Sequence, residues 1–267
     1  MSRTTEHAPL EPDQSTARML RPVPAVPDTR SHKPSPGSLS PGSLSRAVTR
    51  AGHPAVGAPA TRRLLPVLPA LATLLPEGGL RAGTTVTIEK STALALALLA
   101  GPSQAGGWCA VVGVPTLGAR AIAEAGVALE RLALVPSPGS QWAAVVAALL
   151  DGMDVVVVRP PARVSGGEAR RLAARARERG TVLVSLGSWE GADARLSAAG
   201  SRWSGLAGGT GRLRARRLVV HARGRGAATR PRQTELWLPA WNGGVAPAPT
   251  PIDGSADGPA ELHVAAV

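Results

Sequence analysis

The stretch Thr84-Thr-Val-Thr-Ile-Glu-Lys-Ser-Thr-Ala-Leu-Ala-Leu-Ala-Leu-Leu-Ala100 determines how the rest of the chain is interpreted. Its β-branched start predicts a strand, and the apolar run that follows predicts a helix. In a phosphate-binding loop, glycine-rich backbone between such elements wraps the phosphates, while a lysine and a hydroxyl hold phosphate oxygens and magnesium. Here the strand runs almost directly into the helix, and no glycine lies between Gly83 and Gly101. The sequence therefore predicts a nucleotide-binding type of fold whose nucleotide site has been lost.

This junction keeps the residue types of a phosphate site but not their spacing. We expect no catalytic residue, no metal and no cofactor here, because a backbone cradle without glycine is sterically disfavoured. No histidine in the chain has neighbours spaced like a metal site or a catalytic triad. The chain is thus predicted to be a binding protein rather than an enzyme. The degenerate position comprises Glu89, Lys90, Ser91 and Thr92.

Arginine dominates the charge of the chain. Among 267 residues the formal net charge is +12, and Lys33 and Lys90 are the only lysines. Such a basic chain favours an acidic partner, most commonly nucleic acid. The abundance of Arg, Ala, Gly and Pro also fits a GC-rich genome, so the bias is weaker support for function than its size suggests.

The single cysteine and the apolar segments exclude several classes of protein. Cys109 alone cannot form a disulfide framework or a metal site, and its apolar surroundings favour a buried thiol over a nucleophile. The N-terminus lacks the continuous apolar segment of a secretory signal. The most apolar stretches are shorter than the ~20 residues that cross a bilayer. We therefore expect a cytoplasmic protein without membrane contact.

Composition divides the chain into a core and two tails. Residues 1–60 are rich in Pro, Ser, Gly and Arg, and residues 243–267 carry repeated Ala-Pro without periodicity. Such segments bury too little apolar surface to offset their chain entropy, so both are predicted to be disordered. The ordered domain is predicted over residues 61–242.

Helices and strands alternate from residue 84 to residue 185, which predicts a mostly parallel α/β sheet with helices on both faces. Beyond Gly187, strands follow one another without long helices, and they are expected to extend the sheet as antiparallel edge strands. The helices are predicted to span 91–100, 116–126 with Thr116 as N-cap, 141–150 with Ser140 as N-cap, and a capped helix from Ser165 and Glu168 to Gly180. The late strands are predicted at 192–198, 213–221 and 234–238.

This order of elements resembles the core of RecA-family recombinases. More specifically, it is similar to the actinobacterial ImuA-type proteins, which are RecA-like accessory factors of mutagenic translesion synthesis. The resemblance covers about residues 61–242 and implies a RecA-like, mostly parallel central sheet with antiparallel strands on its C-terminal side. It is carried by Gly78–Gly83, Gly107–Gly113, Ala125–Leu132, Ala148–Arg159, Glu168–Gly180, Gly200–Gly205 and Glu235–Pro239.

The departures from an active RecA-type ATPase are as informative as the matches. Where the family's metal-binding strand ends in an aspartate, this chain has Arg159. Val114 and Pro115 stand where the family has a water-activating glutamate. The segments 159–164 and 186–191, which correspond to the recombinase DNA-binding loops, are short. Together with the degenerate phosphate loop, these losses imply a protein that does not hydrolyse ATP.

The resemblance implies a non-catalytic adaptor in the error-prone translesion synthesis that follows DNA damage and the SOS response. Its partners would be an ImuB-like homologue of the Y-family polymerases and an error-prone polymerase of the replicative class, with RecA as a further candidate. Two alternatives remain open. One is an ATP-dependent recombinase or DNA-repair ATPase, and the other is a cell-division inhibitor of the SulA type.

A row of arginines is the main candidate for weak, non-specific DNA binding. Arg212, Arg214 and Arg216 would share one face of a strand, with Leu213 and Ala215 on the other face. The alternative, a solvated edge strand whose charges prevent aggregation, is equally compatible with the pattern. Trp189 and Trp203 are predicted in or beside loops, where they could stack on bases or anchor a partner, and Trp237 is predicted as an exposed contact on its strand. The candidate binding residues are Arg212, Arg214, Arg216, Arg217, Trp189, Trp203 and Trp237.

Overall fold

A mixed ten-stranded sheet organises the part of the chain that the computed structural model describes, residues 63–161, 164–207, 210–248 and 262–263. The predicted tail 1–60 lies outside these residues. The strands are β1 (Leu64–Pro66), β2 (Gly79–Arg81), β3 (Thr85–Glu89), β4 (Cys109–Val112), β5 (Leu132–Val135), β6 (Val155–Val158), β7 (Val182–Leu186), β8 (Ala194–Ala207), β9 (Thr210–Gly224), β10 (Arg232–Trp237), β11 (Ala246–Pro247) and β12 (Leu262–His263). The helices are α1 (Pro69–Ala72), α2 (Thr92–Gln104), α3 (Ala119–Glu124), α4 (Trp142–Leu150) and α5 (Gly166–Arg179).

The strand order of the large sheet is β11-β10-β9-β8-β3-β7-β6-β4-β5, and β12 pairs with β8. All pairings from β8 through β3 to β5 are parallel, whereas β9, β10, β11 and β12 pair antiparallel. The predicted α/β class is confirmed, with a mostly parallel central sheet flanked by helices and antiparallel strands on the C-terminal side. The small sheet β1-β2 stands apart from this order.

Both faces of the parallel region are covered, which explains its continuous apolar runs. Every residue of β4 and β6 is buried. Helix α2 packs on one face of the sheet, where alternate strand residues such as Val86, Val155 and Val184 contribute to its core. Helices α4 and α5 cover the other face over Val156, Val158 and their neighbours. A strand buried on both faces has no polar side to show, so hydrophobicity alternates in neither β4 nor β6.

Helix boundaries follow the predictions in part. The Ser165 hydroxyl accepts the backbone N–H of Glu168 at 3.2 Å, and Gly180 ends α5 in the left-handed conformation, as the capping pattern indicates. Thr116 is not an N-cap, because a turn in which Leu117 donates to the Val114 carbonyl delays α3 until after Gly118. Likewise, Ser140 lies inside a short 3₁₀ turn, and Gln141 is the residue before α4.

Helix α2 continues beyond the predicted end at residue 100 and passes through Pro102. A proline removes one helical hydrogen bond and normally favours a helix end. Here the surrounding core favours continuation, because the helix segment from Leu94 to Ser103 is almost entirely buried. A Cβ on Gly101 would lie 2.5 Å from the Pro66 carbonyl oxygen, so glycine allows β1 and α2 to approach closely.

The C-terminal strands are longer than predicted, and one has a different partner direction. Strand β8 is parallel to β3 over Ala194–Ser197, so the antiparallel part begins only at β9. β8 and β9 form a long hairpin that continues past the end of β3. Two short strands, β11 and β12, lie within residues 243–267, which the sequence predicts as a tail.

Helices long and apolar enough to cross a bilayer are absent from the described ranges of the chain.

Candidate functional site

The junction of β3 and α2 is too short to wrap a phosphate group. Only Lys90 and Ser91 separate the strand from the helix, and Lys90 makes the sharp turn with a φ of 64°. This left-handed region is uncommon for residues other than glycine. The backbone therefore turns from strand to helix within two residues and forms no longer loop. The Ser91 hydroxyl caps α2 by accepting the backbone N–H of Leu94 at 3.2 Å. Its hydroxyl is therefore engaged in holding the helix start.

The neighbouring side chains of this junction are also engaged. Thr92 accepts a hydrogen bond at Oγ1 from Nη2 of Arg159 at 2.8 Å. Arg159 follows β6, so its side chain reaches across the end of β7 to the start of α2. Glu89 lies 3.3 Å from Nη1 of Arg195 in an ion pair, and Lys90 is exposed. The structure thus brings the predicted degenerate position and Arg159 together, and it links them by side-chain contacts of their own.

Arg159 places a positively charged side chain at the carboxyl end of β6, beside the start of α2. A guanidinium has only donors and stays charged, so it repels a divalent cation rather than binding it. Gly113, at the end of β4, lies under this segment with a φ of 78°, and a Cβ there would lie 2.6 Å from the Arg159 carbonyl oxygen. The segment is therefore held close to β4, with the arginine at the carboxyl edge of the sheet.

The nearest acid in β6 lies at the opposite end of the strand. Asp154 is buried, accepts the backbone N–H of Trp108 at 2.8 Å, and forms an ion pair with Arg63 at 2.7 Å. These contacts tie the amino ends of β4 and β6 together, which is a structural role. Val114, next to Pro115 after β4, is buried and contributes no carboxylate. Across the described residues, no group of three or more His, Cys, Asp or Glu side chains is placed to hold a metal ion.

A cavity of about 270 Å³ lies at the amino edge of the sheet, away from the β3–α2 junction. Its walls include Leu80, Val86 and Ala194, together with Asp193, whose carboxylate accepts the Thr85 backbone N–H at 2.9 Å. Arg225, also in the wall, lies 3.4 Å from the same carboxylate group. The charged groups of the cavity are thus held by one another. In α/β sheets ligands usually bind at the carboxyl edge, and this cavity lies at the other one.

Cys109 is a core residue, as its surroundings in the sequence indicate. It is fully buried at the start of β4. Burial first, and the charge of Asp154 second, raise the pKa of the Cys109 thiol to about 12. Because the thiolate is the nucleophilic form, this thiol is unreactive near neutral pH.

The predicted arginine row is divided by the structure into exposed and engaged members. Arg212 and Arg214 are exposed on β9, whereas Arg216 is half-buried, donates to the Leu238 carbonyl at 2.8 Å, and stacks on Trp203. Burial lowers the pKa of the Arg216 guanidinium from its usual value. Arg217 donates to Glu235 at 2.7 Å. Arg216 and Arg217 therefore contact β10 and the residue that follows it, and Arg212, Arg214 and Arg216 do not form a row of three equivalent phosphate ligands.

The tryptophans also differ from the sequence interpretation. Trp189 is 3 % exposed and packs in the core beneath α4 and α5, so its ring cannot stack on a base. Trp203 lies within β8 rather than in a loop, and the Arg216 guanidinium is 5.4 Å from its ring centroid. Trp237 is half-buried, with its ring centroid 6.4 Å from that of Trp241. Trp189 lies in the connection between β7 and β8, and this connection folds onto the core.

Trp241 is the aromatic residue that sequence reasoning misses. It is 44 % exposed, and the Arg214 guanidinium lies 5.8 Å from its ring centroid. No periodicity signals it, because it follows β10 in a turn rather than lying in a strand. The hydrogen bond from the Arg216 N–H to the Pro239 carbonyl at 2.9 Å places this turn beside β9. The pairing of β9 with β10 in the folded chain brings Trp241 next to Arg214.

Comparison with known proteins adds a family and a distant structural likeness. Residues 73–191 match the family described as the MT3502 N-terminal domain. The "Uncharacterized protein Rv3395c" of Mycobacterium tuberculosis (strain ATCC 25618 / H37Rv) is 39 % identical over 163 residues, which span 57 % of this chain and 80 % of that protein. The flagellar accessory protein FlaH from Methanocaldococcus jannaschii superposes with a TM-score of 0.42 and 11 % identity, over 65 % of this chain and 92 % of that one.

Proposed function

This chain belongs to the MT3502 N-terminal domain family, and we propose that it acts as a non-catalytic adaptor in DNA-damage-induced, error-prone translesion synthesis. The observation that carries the proposal is the contact between Arg159 and Thr92 at the start of α2. In the nucleotide site of an active RecA-type ATPase, the corresponding start of the helix is left open for phosphates and magnesium. Here it is bridged by a side-chain hydrogen bond from a cation.

Catalysis of phosphoryl transfer needs several parts at once, namely a backbone cradle, a metal ligand and a group that orients the attacking nucleophile. The short turn at Lys90, the arginine at position 159 and the buried Val114 each replace one of these parts. One loss could be compensated by neighbouring groups, and three coincident losses are an argument against hydrolysis. A role through binding is therefore favoured over a role as an ATP-dependent recombinase or repair ATPase.

The choice of translesion synthesis rests on the resemblance of residues 61–242 to the ImuA-type proteins, together with the retained sheet. Packing surfaces of such a core can persist after the nucleotide site is lost, because van der Waals contact needs neither metal nor phosphate. The expected partners are an ImuB-like homologue of the Y-family polymerases and an error-prone polymerase of the replicative class. RecA is a further candidate.

Capture of the ImuB-like protein by the full-length chain, with and without Mg-ATP, tests this proposal. We expect equal capture under both conditions, because the binding surface does not depend on nucleotide. The variant Lys90→Ala serves as a matched control, and it should capture the partner as the unmodified chain does. A complex that forms only with Mg-ATP, or that Lys90→Ala abolishes, would contradict the adaptor role. Failure to capture any polymerase component would favour the division-inhibitor alternative.

A further inference from the structure

The outer part of the β8–β9 hairpin extends beyond the parallel sheet. Strand β3 pairs with β8 only over Ala194–Ser197, whereas β8 and β9 remain paired as far as Ala207 and Thr210. Register shifts between Ala199 and Ser201 of β8, and between Gly211 and Ala215 of β9, interrupt the regular pairing of the two strands. Such irregularities increase the local twist of a strand pair. The hairpin therefore presents a curved face whose side chains are not covered by the helices that pack on the parallel strands.

This region of the chain has a strong excess of positive charge. Residues 193–248 contain ten arginines but only two acids, Asp193 and Glu235. Both acids already interact with arginines, since Glu235 accepts from Arg217 at 2.7 Å and Asp193 lies 3.4 Å from Arg225. Arg212 and Arg214 are exposed on β9 and carry positive charge at the surface of the hairpin. A surface with such a charge attracts polyanions.

The exposed members of the arginine row lie beside an exposed aromatic ring. Arg212 and Arg214 are both exposed on β9, in the segment between Gly211 and Ala215 where the β8–β9 register shifts. The Trp241 ring lies beside Arg214, with 5.8 Å between the guanidinium carbon and the ring centroid. The centroid of the Trp237 ring lies 6.4 Å from that of Trp241. Tryptophan is enriched at binding interfaces, because its ring provides a large apolar contact area.

A second layer holds this arrangement in place. The Arg216 guanidinium is fixed between the Trp203 ring and the Leu238 carbonyl, so it orients the strand rather than contacting a ligand. The turn that carries Trp241 is tied to β9 by two backbone hydrogen bonds, from the Arg216 N–H to the Pro239 carbonyl and from the Leu238 N–H to the Arg216 carbonyl. The ring and the exposed arginines are therefore presented by a rigid support.

We propose that this face binds single-stranded nucleic acid, with a base stacked on Trp241 and the sugar-phosphate backbone held by Arg212 and Arg214. Unpaired bases offer a free π-face, and stacking on an aromatic side chain is tolerant of sequence. A duplex offers only its phosphates to the same surface, because its bases are stacked on each other. The aromatic ring therefore favours a single strand over a duplex and over an acidic protein. This inference goes beyond the adaptor role and does not depend on it.

Fluorescence anisotropy of labelled oligo-dT and oligo-U of about 16 nucleotides, titrated with the full-length chain, tests the proposal. We expect Trp241→Ala to weaken single-strand binding about tenfold, as expected for one stacked base, and Trp241→Phe to restore most of the affinity. The double variant Arg212→Gln/Arg214→Gln should reduce the log–log salt slope by about 1.4, which is about 0.7 per phosphate contact on a single strand. Comparison of the two oligonucleotides distinguishes DNA from RNA.

Two matched controls separate site-specific binding from general charge. Arg171→Gln/Arg177→Gln removes the same charge from the exposed face of α5, and it should leave affinity and salt slope unchanged. Trp241→Ala should not weaken binding of a duplex of equal length. The proposal is overturned if single strands do not bind at ~50 mM salt, if the α5 variant weakens binding as much as the β9 variant, or if Trp241→Ala has no effect on single strands.

Discussion

At the scale of single residues, Arg159 makes a side-chain contact between two elements at the carboxyl edge of the sheet. Its guanidinium donates to Thr92 Oγ1 at 2.8 Å and so connects the end of β6 to the first turn of α2. The identity of Arg159 can be read from the sequence, and it predicts the loss of a metal ligand. The contact itself cannot be read from the sequence, because the two residues are separated by 67 positions and a strand lies between their elements.

A double-mutant cycle on Arg159→Ala and Thr92→Val measures this contact. We expect a coupling free energy of roughly 0.5–1.5 kcal/mol in chemical denaturation, which is the range for one exposed hydrogen bond. Thr92→Val keeps the β-branched shape, so the cycle reports the lost acceptor rather than lost packing. A coupling free energy of zero would mean that Arg159 does not bridge the two elements in solution.

The thiol of Cys109 gives a second residue-level prediction. Because its pKa is raised to about 12, it should resist alkylation in the folded protein at pH 8 and react once the chain is unfolded in urea.

The raised pKa of the Cys109 thiol also contributes to the free energy of unfolding at neutral pH. This contribution is complete below the unfolded pKa near 9 and is lost as the pH rises towards 12. The free energy of unfolding, compared with that of Cys109→Ala, should therefore fall between pH 8 and pH 11. Rapid alkylation of the native protein would contradict this placement.

At the scale of elements, the close approach of β1 to α2 explains why a helix with an internal proline is retained. Gly101 is the residue of α2 at which β1 lies close to the helix backbone. The hydrophobic periodicity of the helix does not indicate this contact. A helix whose residues are buried on every side has no amphipathic pattern to mark its end. The tertiary contact thus overrides the local preference of Gly101 and Pro102 for a helix end.

Gly101→Ala is expected to destabilise the protein by about 1–3 kcal/mol, even though alanine favours a helix by ~1 kcal/mol over glycine. The added Cβ would lie 2.5 Å from the Pro66 carbonyl oxygen and 2.6 Å from Val67 Cα, and backbone cannot move aside as easily as a side chain. Gly167→Ala on α5 is the matched control, because nothing lies within 4 Å of its Cβ position. It should be neutral or slightly stabilising in the same urea titration. Equal effects of the two substitutions would exclude the close approach.

The same scale shows which elements the sequence could predict. The capping pattern of Ser165 and Gly180 gives the ends of α5, since caps are local chemistry. The start of α4 is predicted to within one residue, but Ser140 is not its cap, because a 3₁₀ turn over Gly139–Gln141 precedes the helix and has no residue signature. The parallel pairing of β8 with β3 also requires the whole sheet, since strand direction depends on the path between the strands rather than on their residues.

At the scale of the whole molecule, alternating elements predict the class of fold, whereas the candidate surface on β9 depends on how distant segments meet. The arginines of β9 are visible as a run, but their engagement differs because β8 and β10 bring Trp203 and Leu238 to Arg216. The neighbouring elements likewise bury the Trp189 ring and leave the Trp241 ring exposed. A sequence pattern gives the face of a strand, and the neighbouring elements decide what covers it.

An adaptor role for the whole molecule requires that it bind its partners without nucleotide. Isothermal titration of the full-length chain with ATP, in the presence and in the absence of Mg²⁺, measures whether the chain binds nucleotide. We expect no saturable heat at physiological nucleotide concentrations, because the turn at Lys90 offers no cradle and Arg159 offers no metal ligand. Saturable binding at micromolar concentration that is lost in Lys90→Ala would show that the β3–α2 junction still holds phosphates, and it would contradict the account.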